Sequence, residues 1–141
     1  MTQINFYNLP QDTEPMRKLF ACRLTEKARS LGHRVCLFAG SEELAREIDA
    51  LLWSFSSTSF IPHEIVAADG TCAEDVCIAV TSVPKDANDV VINLTSDALG
   101  DVEGIARVNE IIIQEPEALE QARARYRHYQ QAGIRPEMIK L

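Results

Sequence analysis

Two arginines and a tyrosine near the carboxyl end of the chain have the types and spacing that could bind an anionic group. Arg123 and Arg127 are four residues apart, so on a helix they lie one turn apart, and Tyr126 lies between them and an apolar stripe. Two guanidinium groups beside an aromatic ring could bind a carboxylate together with an apolar side chain, as the carboxyl end of a protein presents them. The alternative is a solvated helix face with tyrosines in the core, and the spacing alone does not exclude it.

The usual signatures of nucleotide binding and catalysis are missing from the sequence. Neither G-x-G-x-x-G nor G-x-x-x-x-G-K-S/T occurs, and the single Gly40 after a predicted strand is expected to form a turn. The histidines His33, His63 and His128 are isolated, so we expect surface or locally hydrogen-bonded side chains. Residues distant in sequence could still cluster, so an enzyme, or a binder of a nucleotide or small acidic ligand, stays an alternative.

The four cysteines do not form a recognisable metal or redox motif. Cys22 and Cys36 fall within a predicted helix and a predicted strand, and Cys72 and Cys77 lack C-x-x-C spacing and a nearby histidine. We therefore expect buried free thiols, no metal site and no cofactor.

Strands alternate with helices along the chain. Apolar periodicity and turn residues predict strands at 4–9, 34–39, 76–80, 90–94 and 111–113, helices at 16–31, 42–52 and 115–131, and a weakly helical stretch at 96–108. Continuous apolar runs such as 35–38 are typical of strands buried on both faces. This order predicts an α/β fold, a single domain over residues 1–141 with a mostly parallel sheet flanked by helices.

A serine-rich segment between residues 53 and 70 carries large apolar side chains. Trp53, Phe55, Phe60 and Ile61 are spaced through what we predict to be a loop. They could fold back onto the core or form an exposed patch that docks a partner, and the pattern leaves both interpretations open.

Composition and charge narrow the class of protein. The 141 residues are 46% hydrophobic, and no apolar run is long enough to span a membrane, so we expect a cytoplasmic globular protein. The formal net charge of −7 argues against broad binding to nucleic acid. Residues 117–141 nevertheless hold five of the 14 basic residues and three of the 21 acidic residues, which suggests one localised anionic partner.

The sequence resembles the chi subunit family of the bacterial DNA polymerase III holoenzyme. The resemblance covers nearly the whole chain, with little to match between residues 69 and 89. It rests on Phe6-Tyr7, Leu51-Leu52-Trp53, Ser59-Phe60-Ile61-Pro62-His63 and Ala124-Arg125-Tyr126-Arg127-His128-Tyr129 followed by Ala132-Gly133.

This resemblance implies a Rossmann-like three-layer fold without nucleotide binding, and a non-catalytic replication adaptor. Such an adaptor pairs with the psi subunit, reaches the clamp loader through psi, and binds the acidic C-terminal tail of single-stranded DNA-binding protein (SSB), contacting DNA only indirectly or weakly. Carried over by position, the SSB-tail site would be Arg123, Tyr126, Arg127, Tyr129 and Ile112, and the psi site would be Phe60, Trp53 and Ile61.

Two positions depart from the family pattern. Leu119 and Gln130 stand where related sequences often have basic residues, which implies a weaker tail site. Loss of two charge-assisted surface contacts of about 1 kcal/mol each would cost about tenfold or more in affinity. Arg125 or Arg135 could compensate.

Overall fold

The computed structural model describes residues 2–58, 60–67, 69–84, 86 and 89–141. Ser59, one residue of the motif quoted above, lies outside the described residues. Seven strands and three helices alternate in the order β1 (Gln3–Asn8), α1 (Glu14–Ser30), β2 (Val35–Phe38), α2 (Glu42–Ser54), β3 (His63–Ile65), β4 (Val76–Ala79), β5 (Val90–Asn93), β6 (Arg107–Ile112), α3 (Pro116–Gln131) and β7 (Glu137–Lys140).

All seven strands belong to one parallel sheet with the order β3-β4-β2-β5-β6-β1-β7. The inner strands β4 and β5 are buried at every position, as expected for strands covered on both faces. The predicted α/β class with a parallel sheet between helices is confirmed.

One face of the sheet packs against α1 and α2. Leu37, Ile78 and Ile92 point to this face and are fully buried against side chains of α1 and α2 such as Cys22 and Ile48. The amide of Leu44 donates a hydrogen bond to the Ser41 side chain (3.2 Å), so Ser41 is the N-cap of α2.

The opposite face packs against α3 and the segment that precedes β6. Phe6, Val91 and Val108 from the sheet meet Ala122 and Tyr129 from α3 in a second buried cluster. The two clusters lie on opposite sides of one sheet, so the molecule has the three layers expected from the sequence.

The weakly helical prediction for residues 96–108 is wrong. Residues 95–106 form bends and turns, one closed by a hydrogen bond from the Ile105 amide to the Val102 carbonyl (3.1 Å), and β6 then begins at Arg107. Leu99 and Ile105 are still buried beside α3, so the apolar residues of the segment enter the core without a helix. Gly100 and Gly104 weaken a helix here because glycine loses the most backbone freedom on ordering.

Two short edge strands were not predicted. β3 has three residues and falls inside the expected aromatic loop, and β7 is mostly exposed at the far edge, where it pairs with β1. Neither has the apolar run or the alternation by which a strand is recognised in sequence. Trp53, placed at the start of the expected loop, lies within the last turn of α2.

The expectation of free thiols is confirmed for two cysteines and wrong for the other two. Cys22 and Cys36 are free and buried, whereas Cys72 and Cys77 form a disulfide with their Cα atoms 6.3 Å apart. Bends at residues 74–75 turn the chain before β4 and bring the two cysteines together.

Neither a membrane span nor a metal cluster is found among the described residues. No helix there is long and apolar enough to cross a bilayer. No group of three or more histidine, cysteine, aspartate or glutamate side chains in that part of the chain is arranged to hold a metal ion.

Candidate functional site

The helix α3 presents the arginines and the tyrosine that the sequence analysis singled out. Arg123 and Arg127 are exposed, and neither guanidinium has a hydrogen-bonding or ionic partner within the described residues. Tyr126 is half-buried beside them; its ring centroid lies 5.2 Å from that of Phe6, and its hydroxyl donates to the Pro136 carbonyl (3.2 Å). We call Arg123, Tyr126 and Arg127 the α3 surface. It offers two free cations next to a ring that is already held in place.

A buried ionic network lies directly beneath this surface. The Glu110 carboxylate, fully buried on β6, accepts hydrogen bonds from Arg125 Nε (2.9 Å), Asn93 Nδ2 (2.8 Å) and the Tyr129 hydroxyl (2.7 Å). Burial raises the pKa of the Glu110 carboxyl, while the Arg125 cation and the three hydrogen bonds act in the opposite direction. Burial and the neighbouring Glu110 charge also raise the pKa of Tyr129.

The same network connects α3 by hydrogen bonds to the segment between β5 and β6. Arg125 also donates to the Ser96 carbonyl (3.2 Å), and the Tyr129 hydroxyl accepts from the Leu99 amide (3.0 Å). One helix, two strands and a connecting segment therefore share one set of hydrogen bonds, which sets the position of α3 on the sheet.

Three residues expected at or near the tail site are buried in the structure. Tyr129 is 1% exposed and its hydroxyl is fully engaged, so it positions α3 from within the core. Arg125 is 7% exposed and paired with Glu110, so it is not free to compensate for missing surface cations. Ile112 is 5% exposed and belongs to the apolar cluster that Leu119 and Tyr126 pack against, directly under α3.

The two positions that depart from the family pattern, Leu119 and Gln130, lie on either side of this surface. Leu119 is half-buried against the α3-face core, and Gln130 is exposed near the end of the helix. Arg135, just beyond α3, is exposed. The structure thus leaves Arg135 as the further exposed cation near this end of α3.

Two aromatic side chains form a second exposed feature at the β3 edge of the sheet. Trp53 and Phe60 are 52% and 69% exposed, and their ring centroids are 5.5 Å apart. We call this pair the aromatic surface. Exposed aromatic residues in contact are unusual away from interfaces, because burial of such rings contributes strongly to association.

His63 supports the aromatic surface from below. Its ring is 4.5 Å from that of Trp53, and its nitrogens lie 2.7 Å from the Ile61 carbonyl oxygen and 3.0 Å from Asp49 Oδ1. Ile61, expected beside Phe60 at the psi contact, is 1% exposed and packs in the core between α1, α2 and the sheet. It can therefore hold the segment in place, whereas Trp53 and Phe60 are the side chains that face solvent.

A cavity at the carboxyl ends of β5 and β6 occupies the position where open α/β sheets commonly bind ligands. It has a volume of about 190 Å³ and is lined by two cations, Arg17 and Arg125. Both are already engaged, Arg17 by Glu14 and the Leu94 carbonyl, and Arg125 by Glu110. The arrangement is therefore a poor receptor for a nucleotide phosphate.

Sequence reasoning missed the buried network. Glu110 directly precedes the apolar run at 111–113, and Asn93 lies within the run at 90–94, which was the available signal. A buried acid of this kind needs a cation, and Arg125 borders the apolar stripe of α3. The pairing across 15 residues becomes visible only when β6 and α3 are placed together.

The fold and these features define a class: a small α/β protein with an all-parallel sheet and separate exposed surfaces on α3 and at the β3 edge. The family model described as DNA polymerase III chi subunit, HolC, matches residues 1–137. The chain is 36% identical over 133 residues to the DNA polymerase III subunit chi of Pseudomonas aeruginosa, covering 94% of this chain and 92% of the relative. It is 25% identical over 139 residues to that of Escherichia coli, covering 95% of each. The chain belongs to the DNA polymerase III chi subunit family, a family of replication accessory subunits.

Proposed function

We propose that the chain is a non-catalytic adaptor that binds the psi subunit through the aromatic surface and the acidic C-terminal tail of SSB through the α3 surface. Through psi it would be attached to the clamp loader of the DNA polymerase III holoenzyme. The proposal rests on one observation. Arg123 and Arg127 are two exposed cations without an ionic partner among the described residues, and they flank the ring of Tyr126, which is held in place.

The α3 surface suits the chemistry of an acidic tail that ends in phenylalanine. Arg123 and Arg127 supply charge-assisted donors for carboxylates, including the terminal one. The ring of Tyr126, with Leu119 and Ile112 beneath, supplies the apolar contact for the terminal side chain. Because the cations are exposed, binding should weaken as salt screens them.

Affinity at this surface should be modest. Leu119 and Gln130 bring no charge, and Arg125 is committed to Glu110. Two missing contacts of about 1 kcal/mol each correspond to about a 25-fold loss relative to a site that has both. Arg135 is the nearby cation that is exposed and could recover part of this loss.

The aromatic surface suits an obligate protein contact. Phe60 and Trp53 are the largest exposed apolar residues at this edge, and the contacts of His63 hold Trp53 in place. Aromatic side chains that are held before binding lose little freedom on association and commonly dominate interface energies. Psi docking here would cover both rings.

The two surfaces are far enough apart to be occupied together. The aromatic surface lies beside β3 at one edge, and α3 packs over β6 on the far half of the sheet, four strands away. Four strand spacings correspond to about 19 Å. The chain could therefore connect psi and the SSB tail physically.

The test is calorimetric titration of the purified chain with an acidic peptide ending in phenylalanine, at about 0.05 M and about 0.3 M salt. We expect salt-sensitive binding that needs the terminal phenylalanine. Arg123→Ala should weaken it about fivefold, the equivalent of one surface contact of about 1 kcal/mol, without unfolding the domain. Arg29→Ala, which removes an exposed cation from α1, is the matched control.

An Arg123→Ala chain with unchanged affinity would remove the assignment of the tail to α3. Absence of binding at both salt concentrations would reject the tail site altogether. A thermal shift produced by a nucleotide would instead favour the alternative of a ligand-binding site at the strand ends.

A further inference from the structure

A basic groove lies on the side of the sheet away from α3. The helix α1 covers only part of its face, and a cavity of about 320 Å³ opens between α1 and the side chains of β1 and β6. Its walls include Tyr7, Phe20 and Arg23, together with Lys27, Arg107 and Asn109. We call these six residues the α1 groove. It contains no residue of the α3 surface or the aromatic surface.

The cations of the α1 groove are unpaired. Arg23, Lys27 and Arg107 have no acidic partner within the described residues, whereas Arg17 and Lys18 of the same helix are paired with Glu14 and Glu47. Lys27 lies in the last turn of α1, where a cation is favourable for the helix itself. That reason does not apply to Arg23 or Arg107, which gather in the groove of a chain with a net charge of −7.

The rest of the groove is apolar. The rings of Tyr7 and Phe20 lie with their centroids 5.5 Å apart, and Leu24 lines the wall beside them. Leu31 and Leu141 border the groove and are 65% and 53% exposed. Apolar walls bordered by cations fit an anionic molecule that also carries an apolar group.

A buried acceptor in this groove lacks a hydrogen bond. Asn109 is 4% exposed, and its Oδ1 atom is buried without a hydrogen-bond partner in the described part of the chain. Buried polar side-chain atoms are nearly always paired, because an unmade hydrogen bond costs about 1–3 kcal/mol. Rotation of the Asn109 side-chain amide would turn this acceptor toward the groove, where an N–H group of a bound molecule would satisfy it.

We propose that the α1 groove docks an acidic peptide segment of a protein partner, with an apolar side chain against Tyr7 and Phe20 and carboxylates near Arg23, Lys27 and Arg107. A peptide provides all three features at once: negative charge, an apolar side chain and N–H donors. The groove holds three lysine and arginine side chains, which suits a short peptide better than a nucleic acid strand, whose affinity depends on many phosphate contacts. This site is independent of the tail site on α3 because it lies on the opposite face of the sheet.

The test is amide chemical-shift mapping of the full chain with an acetylated, C-terminally amidated peptide of aspartates and glutamates around one leucine and one phenylalanine. The amide end removes the terminal carboxylate that the α3 surface is proposed to need, so the two sites can fail separately. We expect shifts at Tyr7, Phe20 and Arg107. The double variant Arg23→Glu and Lys27→Glu should weaken binding about 25-fold or more, since two contacts become repulsive.

Arg29→Glu is the matched control, because Arg29 is exposed on the same helix but does not line the groove. An equal loss in the control would show that general charge attraction, not the groove, holds the peptide. Shifts confined to α3, or none at all, would overturn the proposal. Tighter binding of an oligothymidine than of the peptide at these same amides would replace the peptide with nucleic acid as the occupant.

Discussion

Replacing Arg125 with methionine would leave the Glu110 carboxylate buried without its cation. Glu110 is fully buried, and the Nε–Oε1 distance of 2.9 Å is that of a charge-assisted hydrogen bond. Removing one partner of a buried ion pair costs about 3–5 kcal/mol, and methionine keeps much of the arginine's apolar packing. We therefore expect a loss of about 3 kcal/mol or more in the free energy of unfolding, measured by urea denaturation followed by circular dichroism.

The loss in the free energy of unfolding caused by Arg125→Met should increase with pH. Without Arg125, the pKa of Glu110 rises further in the folded state, because the effect of the cation that opposed burial is gone. A carboxyl whose folded-state pKa lies above its unfolded value stabilises the fold below the unfolded pKa, and this stability is lost as pH rises through the folded pKa. Arg125→Met should therefore be less harmful near pH 5 than near pH 8.

Two further variants make the result decisive. Arg123→Met removes an exposed arginine from the same helix and should cost less than about 0.5 kcal/mol. The double variant Glu110→Gln with Arg125→Met should recover part of the loss, because no unpaired charge is left buried. A loss below about 1 kcal/mol for Arg125→Met, or one that does not change with pH, would refute the argument that the ion pair positions α3.

Three further predictions concern the exposed Phe60, the exposed Gln130 and the buried thiols of Cys22 and Cys36. Phe60→Ala should weaken psi binding by about 2 kcal/mol or more in calorimetry, while Met138→Ala, an exposed apolar truncation at the opposite edge of the sheet, should leave it unchanged; equal losses would contradict the psi assignment. Gln130→Arg should strengthen tail-peptide binding about fivefold at low salt, and no gain would show that this position does not face the tail. Burial raises the pKa values of Cys22 and Cys36 to about 12, so neither thiol should be alkylated by iodoacetamide in the folded protein at about pH 8; mass spectrometry showing rapid labelling before unfolding would contradict their burial.

The sequence predicted the fold best where one local signal was strong. Buried central strands appear as apolar runs, such as Val90–Asn93, and α3 shows its apolar stripe, so these elements and the parallel sheet are predictable. The edge strands β3 and β7 are short and partly polar, and they form only because they pair with β4 and β1. Pairing between distant segments leaves no local pattern.

The candidate site was likewise predictable only where local spacing determines the position of a side chain. Arg123 and Arg127 are exposed and on one side of α3, as their spacing implies. The same spacing could not tell that Arg125 turns inward to Glu110 or that Tyr129 is buried, because both depend on a carboxylate supplied by β6. The α1 groove was also hidden, since its cations come from α1 and from β6, about 80 residues later.

The most direct test of the adaptor role is to titrate the preformed complex of the chain and psi with the acidic, phenylalanine-terminated peptide, and to compare its affinity with that for the chain alone. Two separate surfaces predict equal affinities, with Phe60→Ala weakening psi binding by about 2 kcal/mol or more and leaving peptide binding intact. Competition between psi and the peptide, or loss of peptide binding in the Phe60→Ala chain, would contradict the proposal that one chain joins both partners at once.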